Sequence, residues 1–169
     1  MQSTINKNHH ELLLAIDPMH RGFGFALFEK PNMLVDWGIT DIRFNVSSRS
    51  MLRVKQLIEF YRPDRIVLED IKGKSSHRCN RIEQLLEKIY FLAKEQKVNI
   101  SSYSPQKVQE VFSQFKCHNK HDRAKAICEW LPQLSSRMPP KRAIWMSEDP
   151  RTSLFDAVAL ALTYYYLEE

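Results

Sequence analysis

Three acidic residues stand where a folding argument alone would put apolar ones. Asp17 closes the alternating set Leu13, Ala15, Asp17, whose other members are apolar. Glu69 closes Val67, Glu69 in the same way within the run Arg65-Ile66-Val67-Leu68-Glu69. Asp156 is the only charge in Leu154-Phe155-Asp156-Ala157-Val158-Ala159-Leu160. An ionised carboxylate in such surroundings is costly unless it is paired, hydrogen-bonded or bound to a cation. Taken singly, each acid reads equally well as a turn residue, a cap or the partner of an arginine. Taken together they suit a hard divalent ion, Mg²⁺ or Mn²⁺. The chemistry expected of such a site is two-metal phosphodiester hydrolysis, with one ion activating water and the other stabilising the leaving oxygen.

These residues converge only if the elements that carry them do. Leu12 to Ile16 reads as a short buried strand ending at Asp17-Pro18, and Gly22–Glu29 and Met33–Arg43 as two further strands joined by Lys30-Pro31-Asn32. Apolar Met51, Val54, Ile58 and Tyr61 recur at helical spacing over Ser50–Tyr61, and Pro63 stops that helix. Arg65–Glu69 is a fourth strand, followed by a basic loop and a helix with Ile82, Leu85, Leu86, Ile89 and Leu92 on one face. Asn99–Tyr103 is a fifth strand. Helices are then expected from Pro105, from Lys120 to Leu131, and after Asp149-Pro150, with a basic connection from Leu134 to Ile144 before the last. The order is β-β-β-α-β-α-β-α-α-α. It implies an α/β fold, a mixed five-stranded sheet of three antiparallel strands and then βα units, with helices on both faces. Adjacent parallel strands would set Asp17 beside Glu69, and the last helix could bring Asp156 against them.

Composition narrows the classes. The chain of 169 residues carries 25 Lys and Arg against 20 Asp and Glu, a net +5 that suits a polyanionic partner. Four glycines at 22, 24, 38 and 73 leave no G-x-G-x-x-G turn and no Walker loop, so no nucleotide cofactor is expected. Three cysteines make no disulfide framework and point to a reducing compartment. No secretory leader or membrane-length apolar run is visible, and a cytoplasmic location is expected. Residues 1–10 read as a flexible polar tail and 11–169 as a single domain.

Ile16-Asp17-Pro18, Gly22-Phe23-Gly24-Phe25, Ile66-Val67-Leu68-Glu69, Tyr103-Ser104-Pro105-Gln106-Lys107-Val108 and Asp156-Ala157-Val158-Ala159-Leu160-Ala161 together resemble the RuvC branch of the RNase H-like nucleases. The similarity runs in order over roughly residues 11 to 167. It implies an RNase H-like fold, divalent metal (Mg²⁺ or Mn²⁺, two ions per site), a homodimer, and resolution of Holliday junctions in recombination and repair by paired nicks. Asp17, Glu69 and Asp156 match the family's metal-ligand positions, and Lys120 matches a basic residue near its scissile phosphate. Ser153 stands where the family usually has a fourth acid, and Met19 where it commonly has glycine. Asp149 lies about 10 Å along the axis from Asp156, too far to replace that acid, and reads as a cap. Glu148 could reach inward from the loop as a metal ligand. The loop after Glu69 lacks the aromatic that family members set against bases. Alternatives are a nuclease for RNA–DNA hybrids or flaps, or an inactive nucleic-acid-binding protein with the same fold.

Basic residues are the expected DNA contacts: Lys72, Lys74, Arg78 and Arg81 beyond Glu69, and Lys116 and Arg123 further on. Cys117, His118, His121 and Cys128 match no usual zinc spacing. Trp37, Trp130 and Trp145 read as core or interface anchors.

Overall fold

The apolar run beginning at Leu13 becomes β1 (Leu13–Met19), the middle strand of a five-stranded sheet ordered β3-β2-β1-β4-β5. The computed structural model describes residues 10–70, 72 and 79–168, so all but His10 of the expected polar tail lies outside the described residues. β2 (Gly22–Lys30) and β3 (Met33–Asp41) continue antiparallel from β1. β4 (Arg65–Glu69) and β5 (Asn99–Tyr103) run parallel to it. This is the expected mixed sheet. The strand β1 does not stop at Asp17-Pro18, however. Pro18 has no N–H to give a ladder, which a strand tolerates near its end, and pairing with β2 continues to Met19. Asp17 therefore sits inside a strand, opposite Gly24.

Parallel neighbours need crossovers, and two helices supply them: α1 (Val46–Tyr61) before β4 and α2 (Asn80–Glu95) before β5. α1 starts at Val46, earlier than the apolar spacing from Ser50 suggests, because its first turn is polar and carries no such signal. Its C-cap is Arg62, left-handed at φ 49°, whose N–H reaches the Ile58 carbonyl. α3 (Pro105–Ser113) opens on a Ser104 cap that accepts the Lys107 N–H. α4 (Lys120–Trp130) opens on Asn119, which accepts the Asp122 N–H. The expected connection from Leu134 begins inside a 3₁₀ segment, Pro132–Arg137, and α5 (Arg151–Glu168) follows the loop.

Strand alternation sorts the core into two layers. Leu14, Ile16, Phe23, Phe25, Ile66 and Leu68 pack under α1 and α2. Leu13, Ala15, Ala26, Phe28 and Val67 face α3, α4 and α5. α5 is buried around most of its circumference, which explains a helix apolar on every side. It lies close to the sheet because position 24 has no side chain. A Cβ on Gly24 would sit 2.3 Å from the Ser153 carbonyl carbon and 2.4 Å from the Leu154 nitrogen. Further along, the Tyr164 hydroxyl donates to Glu11 Oε2 at 2.8 Å, and Arg65 Nε donates to Glu11 Oε1 at 2.8 Å. The helix is thus pinned at both ends. Among the described residues, no helix is long and apolar enough to cross a membrane.

Candidate active site

The β1–β4 register pairs Leu13 with Arg65 and Ala15 with Val67. Two residues further along each strand, past the last paired residues, come Asp17 and Glu69, on the same face as Ala15 and Val67. Both are buried, at 3% and 7% exposure. Their face is the one α5 crosses. Since Gly24 lies opposite Asp17 and touches the backbone at Ser153, Asp156 falls one helical turn beyond that contact. Asp17, Glu69 and Asp156 line a single cavity of about 890 Å³ together with Lys120, Arg123 and Glu148. The period-2 alternation of two strands and one helix contact are enough to gather them.

Cations are already present in this cavity. Lys120 Nζ donates to Asp156 Oδ2 at 2.8 Å and to Glu148 Oε1 at 2.6 Å. Arg123, one turn further on the same face of α4, reaches Asp156 Oδ1 at 3.4 Å. Each oxygen of Asp156 is therefore held by one cation. Burial alone would lower the Lys120 pKa, but the carboxylates of Asp156 and Glu148 outweigh it and hold the ammonium above its ordinary range. Arg123 also approaches Gln109 Oε1 at 3.5 Å and lies over the Phe112 ring, 5.9 Å from its centroid, near the outer limit of about 6 Å for such contacts.

The donor set fits a hard divalent ion by its chemistry: carboxylate oxygens, two of the residues buried, in one polar cavity. Among the described residues, no three acidic, histidine or cysteine side chains are drawn close enough together to hold an ion as they stand. The carboxylates wall the cavity instead, with Asp156 turned to Lys120 and Arg123. Ser153, at the position of the missing acid, donates its hydroxyl to the Pro150 carbonyl at 2.8 Å and touches Met19 Sδ at 3.5 Å. Asp149 accepts the Arg151 N–H at 2.9 Å, and the Arg151 guanidinium holds its pKa below the ordinary carboxylate range, as befits a cap.

The expected DNA contacts divide. Arg123 was expected among them but is buried at 8% exposure and committed to Asp156. Arg81 is exposed and donates to the His20 carbonyl at 3.1 Å, tying α2 to the β1–β2 turn beside the cavity. Lys72 is exposed, and Lys74 and Arg78 lie outside the described residues. Lys116 is exposed at the end of α3, left-handed at φ 61°, and does not line the cavity. Trp145 is no core anchor, being 88% exposed, and Trp130 is 42% exposed. Sequence reasoning missed the pairing of Arg123 with Asp156. The three-residue spacing from Lys120 to Arg123 was its available signal.

No protein-family profile and no curated relative matches the sequence. Solved structures do match in fold. Thermus thermophilus RuvC superposes with a TM-score of 0.66 at 19% identity, over 93% of this chain and 95% of that one. The yeast mitochondrial Holliday junction resolvase Ydc2 gives 0.66 at 13% identity, over 92% and 78%. Fowlpox virus resolvase, in complex with Holliday junction DNA, gives 0.57 at 14% identity, over 93% and 98%. The chain has the RNase H-like fold in the form that these resolvases share.

Proposed function

We propose that this protein is a divalent-metal-dependent endonuclease that resolves four-way DNA junctions by paired nicks, one from each protomer of a homodimer. One observation carries the reading: Asp17, Glu69 and Asp156, from three distant parts of the chain, line one cavity with Lys120 at its edge. The fold shared with junction resolvases supports it. Asp17, Glu69 and Asp156, with Glu148 from the rim, would hold Mg²⁺ or Mn²⁺, two ions per site. When bound, such ions generate the nucleophile from water and steady the leaving oxygen.

The chain's own residues do the rest. Lys120, kept protonated by its carboxylate neighbours, places a positive charge where a phosphate enters the cavity. Arg123 positions Asp156 from behind. Lys72, Lys74, Arg78, Arg81 and Lys116 contact backbone phosphates and supply affinity without reading sequence. Two cuts placed symmetrically across a junction need two sites related by a twofold axis, hence the dimer.

The test compares a four-way junction, linear duplex and an RNA–DNA hybrid in Mg²⁺ and Mn²⁺, with wild type and Asp17→Asn. Junction nicking by wild type is expected, and a loss of several orders of magnitude in Asp17→Asn with binding retained. Tight junction binding by wild type with no nicking in either metal would leave a binding protein, and preferential cutting of the hybrid would leave a different nuclease.

A further inference from the structure

The loop between the 3₁₀ segment and α5 carries the two most exposed apolar side chains among the described residues, Ile144 at 98% and Trp145 at 88%. They are not on a loose strand of chain. The Met146 N–H donates to the Ala143 carbonyl at 3.0 Å, closing a tight turn with Ile144 and Trp145 at its tip. Arg142 Nε donates to the Met146 carbonyl at 2.7 Å and braces the turn from outside. The next residues, Ser147, Glu148 and Asp149, line the catalytic cavity. Glu148 is held by Lys120 and Asp149 by Arg151, so both nearby acids are neutralised where they stand. Exposed Lys141 and Arg142 leave the approach to the tip positive.

An exposed Ile-Trp pair would be covered by another apolar surface, but basic flanks and an active site at its foot favour a polyanion that also offers flat apolar faces. Nucleic acid does both. We propose that the Ile144–Trp145 tip stacks on bases exposed at the branch point of DNA whose backbone enters the cavity. Glu148 lies three residue steps beyond Trp145, at most about 10 Å of extended chain. With bases about 3.4 Å apart, the tip reaches those within about three steps of the phosphate to be cut. It therefore acts as a selector for branched over linear DNA, where bases are already stacked and closed to it. This inference rests on the nuclease reading above and adds the feature of the substrate that is recognised.

The experiment measures binding by Asp17→Asn protein in Mg²⁺, to four-way and linear DNA of the same sequence, with 2-aminopurine at the branch. Adding Trp145→Ala is expected to weaken junction binding about tenfold or more and to abolish the change in 2-aminopurine fluorescence. Linear binding and the salt slope should stay within twofold, because no phosphate contact is removed, and Trp145→Phe should recover most of the loss. The melting temperature should not move, since the side chain is exposed. Equal losses on junction and duplex, an unchanged 2-aminopurine signal, or a shift in the sedimentation of DNA-free protein on Trp145→Ala would overturn the proposal, the last by making the tip a protein interface. If protein with Trp145 intact shows no preference for branched DNA, the junction reading fails as well, a result distinct from the others.

Discussion

The sulfur of Met19 and the hydroxyl of Ser153 meet at 3.5 Å, joining the end of β1 to the first turn of α5. The hydroxyl proton goes to the Pro150 carbonyl, the shorter and better acceptor, so the contact with sulfur is one of packing. These two residues are also two of the points at which the chain departs from the RuvC pattern it resembles. The departures are one physical unit: a thioether fills the space beside a small side chain that has replaced an acid. Ser153→Asp is expected to bury a carboxylate against that thioether and cost about 3 kcal/mol in chelator. Mn²⁺ should restore part of the loss, giving a larger ion-induced rise in melting temperature than wild type shows. Adding Met19→Gly should reduce the cost further. Thermal melts of the three proteins with and without Mn²⁺ decide the matter.

Gly24 tests how tightly the helix must sit on the sheet. Gly24→Ala drives a methyl into backbone atoms of α5 and is expected to destabilise by about 1–3 kcal/mol. Nuclease activity should fall by more than the folded fraction does, because Asp156 moves with the helix. Gly38→Ala is the control. The nearest atoms its Cβ would meet belong to the Phe25 ring, at 2.9 Å, and a ring can turn where a backbone cannot. A smaller loss is expected in denaturant melts.

Asp156 has two partners, and removing its charge should be felt by both. In Asp156→Asn, Arg123 keeps only its weak contact with Gln109 and its ring, with a side chain just 10% exposed. A loss of about 1–3 kcal/mol is expected in the absence of divalent ions, together with loss of most of the stabilisation those ions confer. Lys120→Met should act oppositely on the second quantity. Without the ammonium, the ion no longer competes with it for Asp156 and Glu148, so its effect on the melting temperature should grow. Differential scanning fluorimetry across an Mg²⁺ or Mn²⁺ series reads both.

Tyr164 sets an alkaline limit. Burial, the hydrogen bond to Glu11 and the charge of Glu11 all oppose the phenolate, raising the pKa from 10.0 to about 12. Because the folded value lies above the unfolded one, the stabilisation is complete below pH 10 and is lost as pH rises towards 12. Burial pushes Tyr165 in the same direction. Tyr164→Phe is expected to cost about 1 kcal/mol at neutral pH and to flatten the decline above pH 10. Melting temperatures followed from neutral pH upward test this.

The acids at 17, 69 and 156 could be read from sequence because each breaks a local pattern: two end an apolar alternation, and one interrupts an apolar helix. The sheet order followed from the same alternation. What surrounds the acids could not be read so. Nothing near Asp156 in the chain indicates that Lys120 and Arg123 will hold it, since that pairing depends on where α4 packs. The extension of β1 through Pro18 depends on a partner strand, and proline locally argues against it. Trp145 shows the converse: of the two readings, core or interface anchor, its exposure excludes the first. A tryptophan is apolar enough to suggest a core, yet a tight turn braced by Arg142 holds it in solvent.

The meeting of Met19 with Ser153 spans 134 residues of chain. Synthesis at roughly 5–20 residues per second puts on the order of ten seconds between the appearance of the two. Until α5 has left the ribosome and settled over Gly24, β1 and β4 present two of the three acids without the helix that carries the third. No nascent fragment that ends before Asp156 contains all three carboxylates. If the proposed nuclease activity holds, the chain is made in an inert form, and its capacity to cut arrives only with the docking of this helix.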